Sequence, residues 1–265
     1  MKLQYCRDAP VSHLAMHRGD LSVGIIKYKE RLLQTTDNLI NNFTTKARQL
    51  LGKSPTFPQK PGSILYSAAS TLCKGSYYLM GYNPGGDPES IPTTILKSLQ
   101  GLPQQSKNAY LDEDWSGYPE GESPFQLRVR YLLCALGEKP EVVCASNLIF
   151  ARSRSAKERM YPGDADLCWP VHELILNIVQ PKVILSIGNS DISAYAYIRN
   201  KMGSPTKHTT PARHGNWSVR AAHGTIGSHV MTVIGLPHLS RYAINGKNEV
   251  IDWVRQQAGE TRPAI

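Results

Sequence analysis

Four short apolar segments, separated by stretches with helical periodicity, constrain the fold of this chain most strongly. They run from Tyr77 to Met80, from Val142 to Ile149, from Val183 to Ile187 and from Val230 to Ile234. Short, continuous apolar runs predict buried strands, and helices between successive strands predict a parallel sheet that is covered on both faces. The sequence therefore predicts an α/β fold of three layers, α/β/α, around a central four-stranded, mainly parallel sheet.

The regions between these strands are predicted to be partly helical. Helices are expected from about Ser63 to Cys73, Phe125 to Leu136, Trp169 to Val179, Ser190 to Met202 and Lys247 to Gln257. Trp169-Pro170 is placed at the start of its helix because proline is favoured in the first turn. Polar and apolar residues alternate loosely from Lys207 to Gly227, and this pattern leaves open a β-hairpin or a long loop.

Cysteine usage and hydropathy favour a cytoplasmic protein. The five cysteines are scattered and form no C-x-x-C pair: Cys6, Cys73, Cys134, Cys144 and Cys168. Such a set predicts buried, reduced thiols and argues against a structural zinc site. No apolar run is long enough to cross a membrane, and the N-terminus lacks the apolar core of a signal peptide. We therefore expect a cytoplasmic monomer without a membrane partner.

The positive charge of the chain is concentrated in one stretch. The formal net charge is +9, and no Asp or Glu occurs between Asp191 and Glu249. A solvated surface normally mixes charges of both signs, so this stretch predicts contact with a polyanion such as a nucleic acid. It carries Arg199, Lys201, Lys207, Arg213, Arg220, Arg241 and Lys247, and also His208, His214, His223, His229 and His238.

The chain is expected to contain two regions of unequal size. Apolar residues recur at helical spacing between Leu32 and Leu51, and a linker rich in proline and glycine follows from Ser54 to Gly62. Residues 1–62 are therefore predicted to form an N-terminal helical extension with its linker, and residues 63–265 the α/β domain. The helix either packs on the main domain or serves as an additional DNA-binding arm.

Polar residues follow the predicted strands at the ends where α/β sheets bind ligands. Asn83 lies in the turn after the first strand, and Asn147 ends the second. Asn189 follows the third strand and His238 the fourth. Together they predict a polar site with neither a carboxylate nucleophile nor a Ser or Cys beside a base.

Two of these segments resemble motifs of the uracil-DNA glycosylase superfamily. Gly81–Gly85, with the sequence Gly-Tyr-Asn-Pro-Gly, looks like the first motif in its Gly-x-Asn-Pro-Gly form. Pro237–Tyr242, with the sequence Pro-His-Leu-Ser-Arg-Tyr, resembles the second motif, commonly His-Pro-Ser-Pro-x. The resemblance extends from about Ser63 to Trp253, and Asn147 matches the residue that reads the base. Leu239 departs from the pattern, which usually has proline there, and this predicts a less rigid loop.

The resemblance implies a monofunctional DNA glycosylase that flips a pyrimidine nucleotide out of DNA and hydrolyses its N-glycosidic bond, leaving an abasic site. It implies that Asn83 orients the attacking water and that His238 donates a hydrogen bond to the pyrimidine O2. No metal and no organic cofactor is implied, because hydrogen bonds alone activate the leaving base. The remaining residues fall into two sets: base-binding Tyr82, Gly85 and Asn147, and DNA-binding Ser240, Arg241, Tyr242, Arg152 and Ser153.

The identity of the base is suggested by Gly85. In strictly uracil-specific relatives this position is a Tyr that blocks groups on C5 of the base. Gly85-Gly86 has no side chain that could block such groups, so a 5-substituted pyrimidine is expected as the substrate. An example is the hydroxymethylated or glucosylated cytosine of some phage genomes, and the enzyme would then act in antiviral defence. Two alternatives remain open: a repair glycosylase that removes mismatched uracil or thymine, and a non-catalytic DNA-binding module on the same fold.

Overall fold

A computed structural model describes residues 18–259, with side chains at Gln34 and from Thr36 onward. The chain divides into two compact units, one ending at Leu39 and one beginning at Ile40. The first helix, α1 (Arg18–Leu51), runs through this division. Its last turns belong to the second unit, where Phe43 and Ala47 are buried. Residues 40–62, which the sequence placed in the extension, thus lie within the larger unit.

One sheet of six strands forms the centre of the larger unit, with the order β2-β1-β3-β6-β5-β4. The first four strands in that order are parallel, and β5 and β4 are antiparallel additions. The prediction of four strands was therefore wrong, because the region after Lys207 forms hairpins. The strands are β1 (Tyr77–Gly81), β2 (Cys144–Asn147), β3 (Val183–Ile187), β4 (Thr206–Pro211), β5 (Ser218–Ile226) and β6 (His229–Leu236).

Five further helices accompany the sheet. They are α2 (Ile95–Gly101), α3 (Pro124–Ala135), α4 (Gly163–Val179), α5 (Ala194–Lys201) and α6 (Asn248–Gln257). The helix α3 begins with a complete capping box, in which Ser123 and Gln126 satisfy each other's backbone amides. The helix α4 begins seven residues before Pro170, so the predicted start at Trp169 was wrong. Burial of Trp169 and Val171 on either side of Pro170 offsets the missing hydrogen bond.

The predicted helix from Ser63 to Cys73 is absent apart from one 3-10 turn, Ala69–Thr71. Here tertiary hydrogen bonds replace helical ones. The Ser63 amide donates to the Phe150 carbonyl at 3.1 Å, and the Tyr66 amide donates to the Ala145 carbonyl at 2.8 Å. The segment therefore lies extended beside β2.

Helices cover both faces of the sheet. On one face, Leu79, Leu185 and Ile234 pack in a single buried cluster with residues of α3 and α6. On the other face, the Tyr78 hydroxyl lies 2.9 Å from Nδ1 of His172 in α4. Alternate residues of each strand thus point to opposite layers, as the continuous apolar runs indicated.

The turn between β4 and β5 lies at the same edge of the sheet as the carboxyl ends of the four parallel strands. We call this edge the carboxyl edge. Because β5 is antiparallel to β6, the pairing of Arg220 with Gly235 brings the start of β5 to the end of β6. The pairing of Pro211 with Ser218 then places the end of β4 there.

The thiols only partly match the expectation of burial. Cys144 and Cys168 are buried, Cys73 is half-buried and Cys134 is exposed on α3, contrary to the prediction. These four are free thiols, and Cys6 lies outside the described residues. Within residues 18–259, no helix combines the length and apolar character that crossing a membrane requires.

Candidate functional site

The polar residues predicted at the strand ends lie along the carboxyl edge in the order of the strands. Asn147 ends β2, Asn83 follows β1, Asn189 follows β3 and His238 follows β6. Neighbouring strands lie about 4.8 Å apart, so Asn83 and His238, two strands apart, sit on strand ends separated by about 10 Å. The end of β3 lies between them, and a Cβ atom at Gly188 would be 3.9 Å from the His238 ring.

Asn147 lies against the backbone of β1. A Cβ atom at Gly81 would come within 2.0 Å of the Asn147 side-chain oxygen, so a larger residue there would displace the Asn147 amide from its position in the register. Asn147 is 5% exposed, and its side-chain amide has no hydrogen-bond partner among the described residues. Its donor and acceptor are not among the fully buried polar atoms that lack a partner, so they remain accessible to a polar ligand edge.

The orientation of the Asn83 side chain follows from its partners. Its Nδ2 donates to the Pro84 carbonyl and to Ser153 Oγ, each at 2.8 Å. The Ser153 hydroxyl donates its own proton to the Ser155 carbonyl at 2.7 Å, so it must accept from Asn83. Both partners are therefore acceptors, and Nδ2 must face them. The Asn83 oxygen is left pointing elsewhere, as an acceptor that is available to a water.

The segment Arg152–Arg154 clamps the turn that carries Asn83. The Ser153 amide donates to the Pro84 carbonyl at 3.1 Å, and Arg152 Nη1 donates to the Gly85 carbonyl. Arg154 pairs with Asp87 at 2.8 Å, and the pKa of Asp87 is lowered by the Glu89 amide first and by Arg154 second. Ser153 is 1% exposed, so the predicted contact of its side chain with DNA is corrected to a positioning contact on Asn83.

Gly85 and Tyr82 differ in their access to the site. A Cβ atom at Gly85 would meet nothing within 4 Å, so open space lies beside this residue. The Tyr82 side chain is buried, and burial raises its pKa to about 12. Its ring lies 6.1 Å from that of Tyr161. The Tyr82 ring thus packs inside the protein, where its hydroxyl has no hydrogen-bond partner among the described residues.

His238 is held as a neutral hydrogen-bond donor. Its Nδ1 accepts from the Ser240 amide at 3.3 Å and lies 2.7 Å from Ser240 Oγ. An amide can only donate, so Nδ1 is the unprotonated nitrogen and Nε2 carries the proton. Desolvation by surrounding protein, and secondly the charge of Arg241, lower the pKa of His238. The lowered pKa favours the neutral imidazole, with Nε2–H as its remaining donor.

Two residues of α3 that lie outside the two motifs support His238. The Phe125 ring stacks on the His238 ring at 5.4 Å with an interplanar angle of 22°. Arg128 Nη1 donates to the carbonyls of Leu239 at 2.6 Å and Ser240 at 2.9 Å. At Leu239 the superfamily motif usually has proline, and the absence of proline predicted a less rigid loop. The two hydrogen bonds from Arg128 hold the loop at this position instead. Their sequence signal was only helical amphipathicity.

The residues after His238 divide between surface and core. Ser240 and Arg241 are exposed, and Arg241 has no ion-pair partner among the described residues. Tyr242 is fully buried and donates its hydroxyl proton to the Ala212 carbonyl at 2.7 Å. The prediction that Tyr242 contacts DNA is therefore wrong, because its side chain belongs to the core beneath the loop.

The acid-free stretch does not form a single surface. Arg213, Arg220 and Arg241 lie on segments at the carboxyl edge, whereas His229 begins β6 at the opposite edge. Lys201 pairs with Asp166 at 3.4 Å. Only part of the stretch can therefore face one ligand. Among residues 18–259, no group of three His, Cys, Asp or Glu side chains is placed to hold a metal ion.

Comparison with protein-family models and with curated proteins finds no match to this chain. The resemblance to the uracil-DNA glycosylase superfamily accordingly rests on the sequence motifs alone.

Proposed function

We propose that this protein is a monofunctional DNA glycosylase that removes a pyrimidine base from DNA. The observation that carries the proposal is the pairing of an oriented amide acceptor, Asn83, with a neutral imidazole donor, His238, at the carboxyl edge. These are the two groups that hydrolysis of an N-glycosidic bond requires: one to hold the water and one to stabilise the leaving base.

The reaction breaks the bond between C1′ of the deoxyribose and N1 of the base, and the bonding electrons leave with the base. Negative charge then develops on the base oxygen, where His238 Nε2–H donates a hydrogen bond. A fixed donor of this kind accelerates such a step by about 100- to 1,000-fold. The oxygen of Asn83 accepts a hydrogen bond from the water that attacks C1′ and so orients it. The water leaves a hydroxyl on the sugar, and its other proton neutralises the released base.

The open space at Gly85 supports a base with a substituent on C5. Gly85 has no side chain, and its carbonyl oxygen accepts a hydrogen bond from Arg152. Neither a side chain nor this carbonyl therefore fills the space. Asn147 would bind the Watson–Crick edge of the base with its unused amide. We therefore assign a 5-substituted pyrimidine, such as hydroxymethylated or glucosylated cytosine, as the preferred class of substrate. A role in defence against phages with modified DNA follows from that preference.

The experiment compares Asn83→Ala and His238→Ala with wild type in base release and in DNA affinity. Both variants should lose turnover by about 100-fold or more, because each removes a group used only in the transition state. Affinity for the same DNA should stay within about threefold. Asn177→Ala is the matched control, since the Asn177 amide contacts His229 at the opposite edge of the sheet. Equal turnover in all four proteins would refute the roles of Asn83 and His238.

A further inference from the structure

We infer that the turn between β4 and β5, residues 212–217, is a stacking platform for an unpaired base of a nucleic-acid strand beside the candidate site. The inference rests on the proposed function for its choice of polymer, and extends the site to a hairpin that the two motifs do not include. It assigns Trp217 as the platform.

The platform is anchored directly to the candidate site. Asn189 Nδ2 donates to the carbonyl of Ser218, which starts β5, at 2.7 Å and to that of Gly235, near the end of β6, at 2.9 Å. The buried Tyr242 hydroxyl donates to the Ala212 carbonyl at 2.7 Å. Since Tyr242 follows His238 by only four residues, the turn and the His238 loop are held together.

The turn presents an aromatic ring to solvent. Trp217 is 39% exposed, and the His214 ring lies 4.6 Å from it. The turn is closed by its own backbone, because the Ala212 amide donates to the Trp217 carbonyl at 2.8 Å and the Trp217 amide donates to the His214 carbonyl at 3.1 Å. A preformed turn presents the ring with little further loss of conformational entropy.

The charges around the ring favour a polyanion over an apolar peptide. No acidic residue occurs from 192 to 248. Arg241 precedes Tyr242, whose hydroxyl bonds to the turn, and it has no ion-pair partner among the described residues. Lys247 Nζ donates to the Arg213 carbonyl at 2.6 Å, which adds a cation at the turn. Glu249 pairs with Arg213 and neutralises only that one charge. Aromatic rings beside cations bind single strands with little dependence on sequence.

The test measures binding of the full chain to a fluorescent single-stranded oligothymidine by anisotropy. Trp217→Ala should weaken binding by about 5- to 100-fold, which is the range for loss of one stacked base. Trp217→Phe should restore most of the affinity, because it keeps a ring. Val230→Ala is the matched control, since Val230 is 82% exposed but lies at the opposite edge of the sheet.

Equal dissociation constants for wild type, Trp217→Ala and Val230→Ala would overturn the inference, and so would failure of Trp217→Phe to bind better than Trp217→Ala. The oligothymidine assay requires no bond cleavage, so its result does not depend on whether the protein is a catalyst. If no base is released from any DNA but Trp217→Ala still weakens binding, the glycosylase proposal fails and the platform stands. If bases are released and Trp217 is without effect, the platform alone fails.

Discussion

The Asn83 side chain is surrounded by acceptors, and this argues that the amide itself is required. An Asp at this position could in principle activate water better than an amide. Here its carboxylate would face the Pro84 carbonyl, which cannot donate a hydrogen bond. The surroundings of residue 83 therefore suit Asn and disfavour the more basic side chain.

Asn83→Asp should lower the free energy of unfolding at pH 7 by about 1–3 kcal/mol. The reason is that a carboxylate, which cannot donate, replaces the amide donor beside the Pro84 carbonyl. The deficit should shrink as pH falls, since the folded state raises the pKa of the new carboxyl and favours its protonated form. Urea unfolding at pH 7 and pH 4 measures this change. Ser153→Ala, which removes one acceptor of Asn83, is the control and should show no such pH dependence.

Gly85→Tyr tests the open space beside the turn. The added side chain meets nothing within 4 Å of its Cβ, so the melting temperature should stay within a few degrees of wild type. Release of 5-substituted pyrimidines should fall at least tenfold relative to release of uracil, measured on matched duplexes. Gly85→Ala, which adds a single methyl group, is the size control. Unchanged selectivity in Gly85→Tyr would place the C5 substituent elsewhere.

At the scale of elements, α3 acts as a brace for the His238 loop. Arg128→Met should remove two charge-assisted hydrogen bonds to the loop carbonyls and lower kcat about tenfold, with little change in DNA affinity. Arg130→Met is the matched control on the same helix, because Arg130 bonds only to the Gly121 carbonyl. Single-turnover base release and binding assays separate the two effects. A loss of affinity instead of kcat would assign Arg128 to DNA contact.

The sequence predicted some elements well and others not at all. The strands β1 and β3 occur where their apolar runs indicated, because buried parallel strands need apolar residues on both faces. The strand β4 is exposed along most of its length and therefore has no apolar signal. The sequence could predict it only as part of a β-hairpin, with a long loop as the alternative. The contacts of Asn83 with Ser153 and of Arg128 with Leu239 span 70 and 111 residues and depend on tertiary packing.

At the scale of the whole molecule, the buried His172 links stability to pH. Its Nε2–H donates to the Leu148 carbonyl at 3.0 Å, next to Asn147, and Nδ1 accepts from the Tyr78 hydroxyl. Burial lowers the pKa of His172 to about 4 from an unfolded value of 6.5. The unfolded chain therefore binds the proton first as the pH falls, and stability decreases between about pH 6.5 and pH 4.

Wild type should lose about 2 kcal/mol of unfolding free energy from this residue between pH 7 and pH 5. Urea unfolding at the two pH values measures the loss, and His172→Gln should show a smaller difference because it cannot titrate in this range. An equal loss of unfolding free energy between pH 7 and pH 5 in both proteins would mean that other groups control the acid sensitivity.

The most direct test of the glycosylase account is mass spectrometry of the bases released from DNA by the purified protein. The substrates are matched duplexes that carry uracil, mismatched thymine, 5-hydroxymethylcytosine or its glucosylated form. The wild-type protein should release a free 5-substituted base and leave an equal amount of abasic sites, and Asn83→Ala should reduce both by about 100-fold or more. Release of only uracil or mismatched thymine would indicate a repair enzyme and contradict the assignment from Gly85. No released base from any DNA, with binding retained, would contradict catalysis itself and leave a DNA-binding module.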